Sequence, residues 1–218
     1  EHMTPVILLS EGFLGNGSEP WRIPSMSEYP AIKPPYVQGL LKEGEKFHPF
    51  RRDPENMVPR WAIPGQKGLE HRVGGLEKNH EGVLSTDPAN HETMVRERAE
   101  KVARVADVLP ALEVLGPESG KLLVVGWGGT YGHILSAFNE MPEGSVSYAH
   151  FDFINPLPRN TREVFAGYEK ILVCELNSGH FADYLLARFP GKDIRKFGKI
   201  QGQPFLVGEL VEAINKEK

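Results

Sequence analysis

The sequence predicts an α/β protein: a three-layer α/β/α sandwich on a mainly parallel, mixed sheet, preceded by an irregular N-terminal extension. Two observations carry this prediction. From Lys121 onward, short apolar runs alternate with segments of helical period, a pattern typical of a mainly parallel sheet. The apolar run at residues 122–125 has no polar alternation, which fits a strand covered by helices on both faces.

The N-terminal part of the chain has a different composition. Residues 1–3 resemble a remnant of a cloning linker. Residues 4–10 are aliphatic and predict a buried strand with nothing before it to cover it, so we expect the chain to begin inside a domain. Residues 11–64 follow, rich in proline, glycine and single aromatic residues without a sustained period, which is typical of a segment that runs along a surface.

The clearest helix signal begins at Asp87, a typical N-cap, with Pro88 at the first helical position, and Pro110 closes the pattern. Apolar residues at four-three spacing predict one buried stripe: Val95, Ala99, Val102, Ala106 and Leu109. Acid-first pairs four residues apart predict a solvated face opposite: Glu92 with Arg96, Glu97 with Lys101, and Glu100 with Arg104.

The predicted sandwich follows, with strands at residues 121–126, 146–151, 170–175 and 193–197. A helix is expected after each strand, the first from Tyr131 and the last from Pro204. Asn160 and Glu163 have the spacing of a capping box at the start of the second of these helices.

A glycine-rich turn after the first of these strands is the candidate ligand site of this fold. Gly126, Gly128 and Gly129 allow close backbone approach at the carboxyl end of a strand, where α/β proteins bind ligands. Together with Asp152 after the next strand they are similar to a dinucleotide fingerprint, but Tyr131 stands where its third glycine belongs. A stand-alone nucleotide-binding module therefore stays open as an alternative to a turn in which the glycines serve packing.

Residues 64–82 hold five glycines together with His71, Glu77 and His80. Histidine and glutamate can bind metal ions, but no helical H-E-x-x-H spacing is present, so we predict no metal site.

Two further patterns are explained by local structure rather than by catalysis. Ser178 lies near Glu175 and His180 in the sequence, which is compatible with a catalytic triad, but the G-x-S-x-G turn is absent, so a helix cap by Asn177 or Ser178 is favoured. Cys174 is the single cysteine, predicted to be a buried strand residue; it cannot form a disulfide or an iron–sulfur cluster within this chain.

The net charge is −4 at pH 7, and lysine and arginine are scattered among acids. This pattern does not favour nucleic acid or an anionic membrane surface as a partner. No stretch approaches the roughly 18 to 20 apolar residues that cross a bilayer, so we expect a soluble, cytoplasmic protein.

Several segments, taken in order, resemble the alpha subunit of a 2-oxoacid:ferredoxin oxidoreductase of the 2-oxoglutarate type. They are PVILLSEGFLGNGSEPW (5–21), PGQKGLEHRVGGLEKNHEG (64–82), HETMVRERAEKVARVAD (91–107), LLVVGWGGTYG (122–132), INPLP (154–158), ILVCELNSGHFA (171–182) and KIQGQPF (199–205).

The resemblance implies a domain plan. Residues 4–20 would end a truncated pyrimidine-type domain of a thiamine enzyme, residues 21–86 would be an interdomain segment, and residues 87–218 a transketolase C-terminal-like domain. Enzymes of this family decarboxylate a 2-oxoacid on thiamine diphosphate with magnesium, pass electrons through iron–sulfur clusters to ferredoxin, and form an acyl-CoA. The resemblance places those cofactors outside this chain, which would be inactive alone.

The resemblance also implies partners and candidate site residues. A beta subunit and ferredoxin are the expected partners, and a homodimer of this chain stays open. The loop at residues 68–82 would approach the substrate pocket with His71, Glu77, Asn79 and His80. The family commonly has Leu-Glu-His-Asp where this chain has LEKN at 76–79, which puts a carboxylate role at position 79 in doubt.

Overall fold

The structure is a computed structural model and describes residues 1–34, 36–37 and 44–218. The predicted irregular region at 11–64 therefore includes residues 35 and 38–43, which lie outside the described residues. The chain divides into two compact units. The first unit is Glu1–Ile7 with Glu19–Val105, and the second is Leu8–Ser18 with Ala106–Lys218. The predicted domain boundaries at 20/21 and 86/87 stay a prediction.

Helix α1 is a short helix in the second unit, Gly12–Asn16, whereas helix α2, Pro88–Arg104, is the longest helix of the first unit. The predicted N-cap of α2 is confirmed, because the Asp87 carboxylate accepts a hydrogen bond from the N–H of Ala89 at 3.0 Å. The helix ends earlier than Pro110, and a 3-10 turn, Val105–Asp107, follows it.

The buried face of α2 is not the predicted apolar stripe. Val95 is 45% exposed and Ala99 is exposed, whereas Met94 and Lys101 are buried. Loops of the first unit present Arg52 and His80 to this helix, and both bond to Glu97. The rest of its charged face stays in solvent, as the exposed Glu92, Arg96 and Glu100 show. The stripe prediction was wrong at Val95 and Ala99, whereas Val102, Ala106 and Leu109 are half-buried. Apolar period alone does not say which partner a helix meets.

Two of the three predicted ion pairs on α2 form: Glu92 with Arg96 and Glu100 with Arg104. The predicted pair of Glu97 with Lys101 is absent from the described contacts. The carboxylate of Glu97 is bonded instead to Arg52 and His80, at 3.0 and 2.8 Å. Residues distant in the sequence have thus replaced Lys101 as the partners of Glu97.

Residues 4–10 do not form the predicted buried strand. Val6 and Leu8 are each 90% exposed, and the segment pairs with none of the described strands. An aliphatic run is buried as a strand only where neighbouring strands pair with it and cover it. The described residues provide no such neighbour.

The second unit is built on a five-stranded sheet. Its strands are β1 Val114–Leu115, β2 Gly120–Trp127, β3 Ser147–Phe151, β4 Tyr168–Glu175 and β5 Asp193–Gly198, in the order β1-β3-β2-β4-β5. Strands β2 to β5 are parallel, and β1 pairs antiparallel with β3. The predicted mainly parallel, mixed sheet is confirmed, although the two-residue β1 is too short to be found from a pattern.

Helices cover both faces of this sheet. Helices α3, Tyr131–Glu140, and α6, Val207–Glu217, pack on one face, and helices α4, Thr161–Ala166, and α5, His180–Arg188, pack on the other. Alternate residues of β2 enter the two cores, Leu122 and Val124 on the side of α3 and Leu123 and Val125 on the side of α4. The three-layer sandwich is thus confirmed. None of the helices in the described ranges is long and apolar enough to cross a membrane.

The predicted capping box at Asn160 was wrong. The Asn160 side chain accepts a hydrogen bond from the N–H of Leu112 at 2.8 Å and donates to its carbonyl at 3.0 Å. The amide therefore fixes the segment before β1 to the start of α4, and α4 has no side-chain cap. A neutral amide that donates and accepts at once can bond both groups of one backbone residue, which sequence spacing does not reveal.

Candidate functional site at the carboxyl edge of the sheet

The parallel strands β2, β3, β4 and β5 all end at the same edge of the sheet. Strand β2 continues into α3 on one face, while its neighbour β4 continues into α5 on the other face. The loops after β2 and β4 therefore separate from each other. Open α/β sheets bind ligands at such a switch point, so this edge is the candidate site of the second unit.

The switch point is closed by Glu175, the last residue of β4, whose side chain is fully buried. Its carboxylate accepts a hydrogen bond from the indole Nε1 of Trp127 at 3.2 Å and from the backbone N–H groups of Phe181 and Ala182, each at 3.0 Å. The last two donors belong to the first turn of α5, where free N–H groups and the helix dipole favour an anion. A side chain of this chain therefore occupies the position that an anionic ligand would take.

Ser178 and His180 do not form a catalytic triad with this carboxylate. The Ser178 hydroxyl lies 3.1 Å from Nε2 of His180, but the bonds of Glu175 go to other groups. The side chain of Asn177 accepts hydrogen bonds from the N–H groups of Gly179 and His180, at 2.8 and 2.9 Å. The N-cap residue of α5 is Gly179, so the predicted N-cap at Asn177 or Ser178 was wrong in position. The Asn177 side chain nevertheless bonds the N–H of His180, the first residue of the helix.

Gly126, the first candidate cofactor-binding glycine, is required by packing. A Cβ atom there would lie 2.3 Å from Cδ1 of Ile134 and 2.8 Å from the hydroxyl of Thr130. Ile134 belongs to α3, so the glycine lets this helix approach the end of β2. The Thr130 hydroxyl in turn donates to the carbonyl of Trp127 at 2.9 Å and fixes the turn.

The local structure also explains why glycine stands at the other two candidate positions. Gly128 has a φ of +58°, the left-handed region that glycine adopts without strain. A Cβ atom on Gly129 would lie 2.6 and 2.8 Å from the two carboxylate oxygens of Glu11, so a residue of the same unit fills the space above the turn. Cofactor binding by these glycines stays a prediction.

Sequence reasoning missed a hydrogen-bonded chain beside this turn. The Tyr148 hydroxyl lies 3.0 Å from Nδ1 of His150 and 3.4 Å from the carbonyl of Tyr131, and His150 also bonds the backbone of Gly128. Burial lowers the pKa of His150 and raises the pKa of Tyr148, so both groups are favoured in their neutral forms. The available signal was the i, i+2 spacing, which puts both side chains on one face of β3.

In the first unit, Glu77 and His80 both bond to side chains of α2. The Glu77 carboxylate pairs with Arg98 at 2.8 Å and with His91 at 2.9 Å. These hydrogen bonds, above all the one from Arg98, lower the pKa of Glu77 to about 2. His80 pairs with Glu97 instead.

Asn79 and His71 bond to the backbone of their own loop. The Asn79 side chain accepts hydrogen bonds from the N–H groups of Glu81 and Val83, and Nδ1 of His71 lies 2.8 Å from the Leu69 carbonyl. In the described part of the chain, none of the four candidate side chains hydrogen-bonds to another. Their place near a substrate stays a prediction.

The described residues do not fit the cofactors that the resemblance implies. No group of three or more His, Cys, Asp or Glu residues within the described ranges could hold a metal ion. Cys174 is fully buried, and burial raises the pKa of its thiol, so it is a poor cluster ligand. The anion position at α5 is filled by Glu175, which leaves no place there for a diphosphate.

The second unit is therefore a three-layer α/β domain whose switch point is filled by the side chain of its own Glu175.

No family model matches the chain. Over 211 residues it is 42% identical to the 2-oxoglutarate oxidoreductase subunit KorA of Mycobacterium tuberculosis, a match that covers 95% of this chain and 31% of that subunit. It is 27% identical over 223 residues to subunit alpha of 2-oxoacid:ferredoxin oxidoreductase 1 of Sulfurisphaera tokodaii, covering 99% and 34%.

A solved structure supports the fold. The 2-oxoglutarate:ferredoxin oxidoreductase from Magnetococcus marinus, with 2-oxoglutarate, coenzyme A and succinyl-CoA bound, superposes with a TM-score of 0.76 at 24% identity, over 89% of this chain and 34% of that one. The chain is a homologue of the alpha subunits of 2-oxoacid:ferredoxin oxidoreductases, and the resemblance drawn from the sequence is confirmed. It spans about a third of the length of these relatives.

Replacing Glu175 by glutamine should lower the free energy of unfolding by about 2–4 kcal/mol, because the amide NH₂ group cannot accept from the buried N–H donors. Glu169→Gln, at an exposed position of the same strand, is the matched control and should change it by less than about 0.5 kcal/mol. Urea denaturation measures both, and equal stability of the two variants would contradict the closed switch point.

Gly126→Ala should destabilise the second unit by about 1–3 kcal/mol, because its Cβ atom meets Ile134 and Thr130. Gly132→Ala is the control, since a Cβ atom there meets nothing within 4 Å and alanine favours helix α3 by about 0.5–1 kcal/mol. Thermal unfolding of the two variants should differ in sign. Similar losses at both positions would show that Gly126 has no special packing role.

The Glu77 ion pair should make stability depend on pH. Because the folded-state pKa of about 2 lies below the ordinary value of 4.5, the stabilisation is complete above pH 4.5 and is lost as the pH falls toward 2. Between pH 5 and 3, the wild type should therefore lose more stability than Glu77→Gln. The exposed Glu81→Gln is the control and should follow the wild type; a parallel decline of all three would refute the pair.

Proposed function

We propose that this chain is part of the alpha subunit of a thiamine-diphosphate-dependent 2-oxoglutarate:ferredoxin oxidoreductase, and that it serves as scaffold and assembly surface. The observation that carries the proposal is the 42% identity with a 2-oxoglutarate oxidoreductase subunit over 95% of the chain. The complete, cytoplasmic enzyme would convert a 2-oxoacid and CoA to an acyl-CoA and CO₂, with electrons passing to ferredoxin. Thiamine diphosphate, magnesium and iron–sulfur clusters would be held by other parts of that enzyme.

The scaffold role is supported by the closed carboxyl edge of the sheet. Glu175 and Trp127 occupy the position where a doubly wound sheet would bind its ligand. The glycine turn beside it is explained by the close approach of α3 at Gly126. These contacts favour packing over ligand binding, so the alternative of a stand-alone nucleotide module has no observation of its own.

Residues 4–10 would complete a sheet in another part of the enzyme, as the last strand of a pyrimidine-type domain. The side chains of Val6, Ile7 and Leu8 are each more than 80% exposed, although their aliphatic character is typical of a buried strand. A contiguous exposed apolar surface of this kind marks an interaction site.

Contact with the beta subunit would come mainly from residues 21–86. Large apolar side chains are exposed along this segment, among them Trp21, Ile23, Met26, Ile32, Val73 and Leu76. The loop at 68–82, with His71, Glu77, Asn79 and His80, would lie toward the substrate pocket of the assembled enzyme. Ion pairs from α2 to Glu77 and His80 would then hold that loop in place.

Co-expression with the beta subunit tests this proposal. The wild-type chain should co-purify with the beta subunit, while the chain alone should show no turnover of 2-oxoglutarate and CoA with an electron acceptor. Trp21→Asp combined with Ile23→Asp should reduce co-purification at least tenfold, because two buried aspartates would disrupt an apolar contact. Thr4→Asp combined with Ser10→Asp adds the same charges outside residues 21–86, and should reduce it less.

Three outcomes would contradict the proposal. Robust turnover by the chain alone would overturn the scaffold role, and absence of co-purification would overturn the assembly role. Saturable micromolar binding of an adenine nucleotide by calorimetry, lost in Gly128→Val, would favour the nucleotide module instead.

A further inference from the structure

A buried tyrosine on β3 lies between two hydrogen-bond acceptors. Tyr148 is 1% exposed, and its hydroxyl oxygen lies 3.0 Å from Nδ1 of His150 and 3.4 Å from the backbone carbonyl of Tyr131. Burial raises the pKa of Tyr148, so the hydroxyl keeps its proton. A hydroxyl group has one proton to donate, so it serves one acceptor at a time. The shorter distance favours Nδ1 of a neutral imidazole as that acceptor.

The imidazole of His150 has a second bond, to the backbone of Gly128. This bond favours the protonated ring, so the imidazole is the donor and the backbone carbonyl is the acceptor. A neutral imidazole has one N–H donor and one acceptor nitrogen. Since Nδ1 accepts from Tyr148, the proton of the neutral ring is on Nε2, and both nitrogens are bonded.

Protonation of His150 changes this arrangement. The added proton turns Nδ1 into a donor, which can no longer accept from Tyr148. The hydroxyl oxygen then accepts from Nδ1, and its own proton turns to the carbonyl of Tyr131. At 3.4 Å that second bond is long, since hydroxyl bonds are ordinarily about 2.7–2.8 Å. Tyr131 is the first residue of α3, so a shorter bond draws the start of this helix toward β3.

Burial sets the pH range of this change. It lowers the pKa of His150 below the ordinary value of 6.5, and the opposing effects of the Asp152 charge and of the bond to Gly128 are smaller. The neutral ring is therefore the favoured form at pH 7. Because the folded-state pKa is lowered, the stability that the neutral ring provides is complete above pH 6.5 and is lost as the pH falls below that value.

Further titratable groups lie near the imidazole or the turn before α3. Burial raises the pKa of the Cys174 thiol on β4, so this group stays neutral. The ring of Tyr131 lies 5.1 Å from the imidazole, measured between ring centroids. The carboxylate of Glu11 lies over the turn. Asp152 and Glu11 are thus the charges whose titration has to be separated from that of His150.

We propose that Tyr148 and His150 form a pH-sensitive switch that moves the start of α3. Above the transition the hydroxyl of Tyr148 is bonded to His150, and below it the hydroxyl donates to Tyr131. The turn before α3, Gly128–Thr130, belongs to the carboxyl edge of the sheet, so the switch changes the shape of that edge. It rests on contacts within the second unit and not on the function proposed above.

An NMR titration of the full 218-residue chain from about pH 7.5 to about pH 4.5 tests the switch. At the upper end, Nδ1 of His150 should have the chemical shift of an unprotonated acceptor. The carbonyl carbon of Tyr131 should shift with the same midpoint as the His150 imidazole, below pH 6.5. A proton on Nδ1 at the upper end, or different midpoints for the two groups, would contradict the switch.

Tyr148→Phe removes the hydroxyl and keeps the ring. His150 should still titrate in this variant, whereas the shift of the Tyr131 carbonyl should be lost, because nothing then passes the proton on. Tyr184→Phe is the matched control. Its hydroxyl bonds to Asn155, in the core on the opposite face of the sheet, so the carbonyl shift should be retained.

Two charge variants separate the switch from the nearby carboxylates. Asp152→Asn should lower the midpoint of His150, because it removes a negative charge that favours the protonated ring. In both Asp152→Asn and Glu11→Gln, the Tyr131 carbonyl should still shift together with His150. Loss of the carbonyl shift in either of these variants, or its persistence in Tyr148→Phe, would overturn the proposal.

Discussion

The buried carboxylate of Glu175 is the interaction on which the carboxyl edge of the sheet depends. It joins the end of β4 to the end of β2 through Trp127 and to the first turn of α5 through two backbone N–H groups. Buried carboxylates are stable only when their oxygens are bonded, and this one is bonded on each oxygen. The side chain of Glu175 therefore occupies the position where this fold usually binds a ligand, and it holds β2, β4 and α5 together.

The first unit is organised by charge in a different way. Helix α2 turns Glu97 and Lys101 toward the loops and leaves Val95 exposed. Glu97 serves Arg52 and His80 at once, and this arrangement separates it from the lysine four residues later. As a result, Lys101 has no carboxylate partner among the described contacts.

Prediction from the sequence succeeded where a local signal decides the structure. The unbroken aliphatic run of β2 and the Asp87 cap needed only a few adjacent residues. It failed where a distant partner decides, as for Asn160, which bonds to Leu112 rather than to its own helix. The candidate site shows the same limit. Its glycines were visible, but the closing role of Glu175 depends on donors from two separate elements.

The indole N–H resonance of Trp127 reports most directly on whether this edge is closed. We expect the indole proton to exchange slowly with solvent, and its resonance to stay unshifted when the chain is titrated with coenzyme A or an adenine nucleotide, because Glu175 holds the indole and fills the switch point. A saturable shift, or rapid exchange of that proton, would show that the edge is open to a ligand and would contradict the scaffold role.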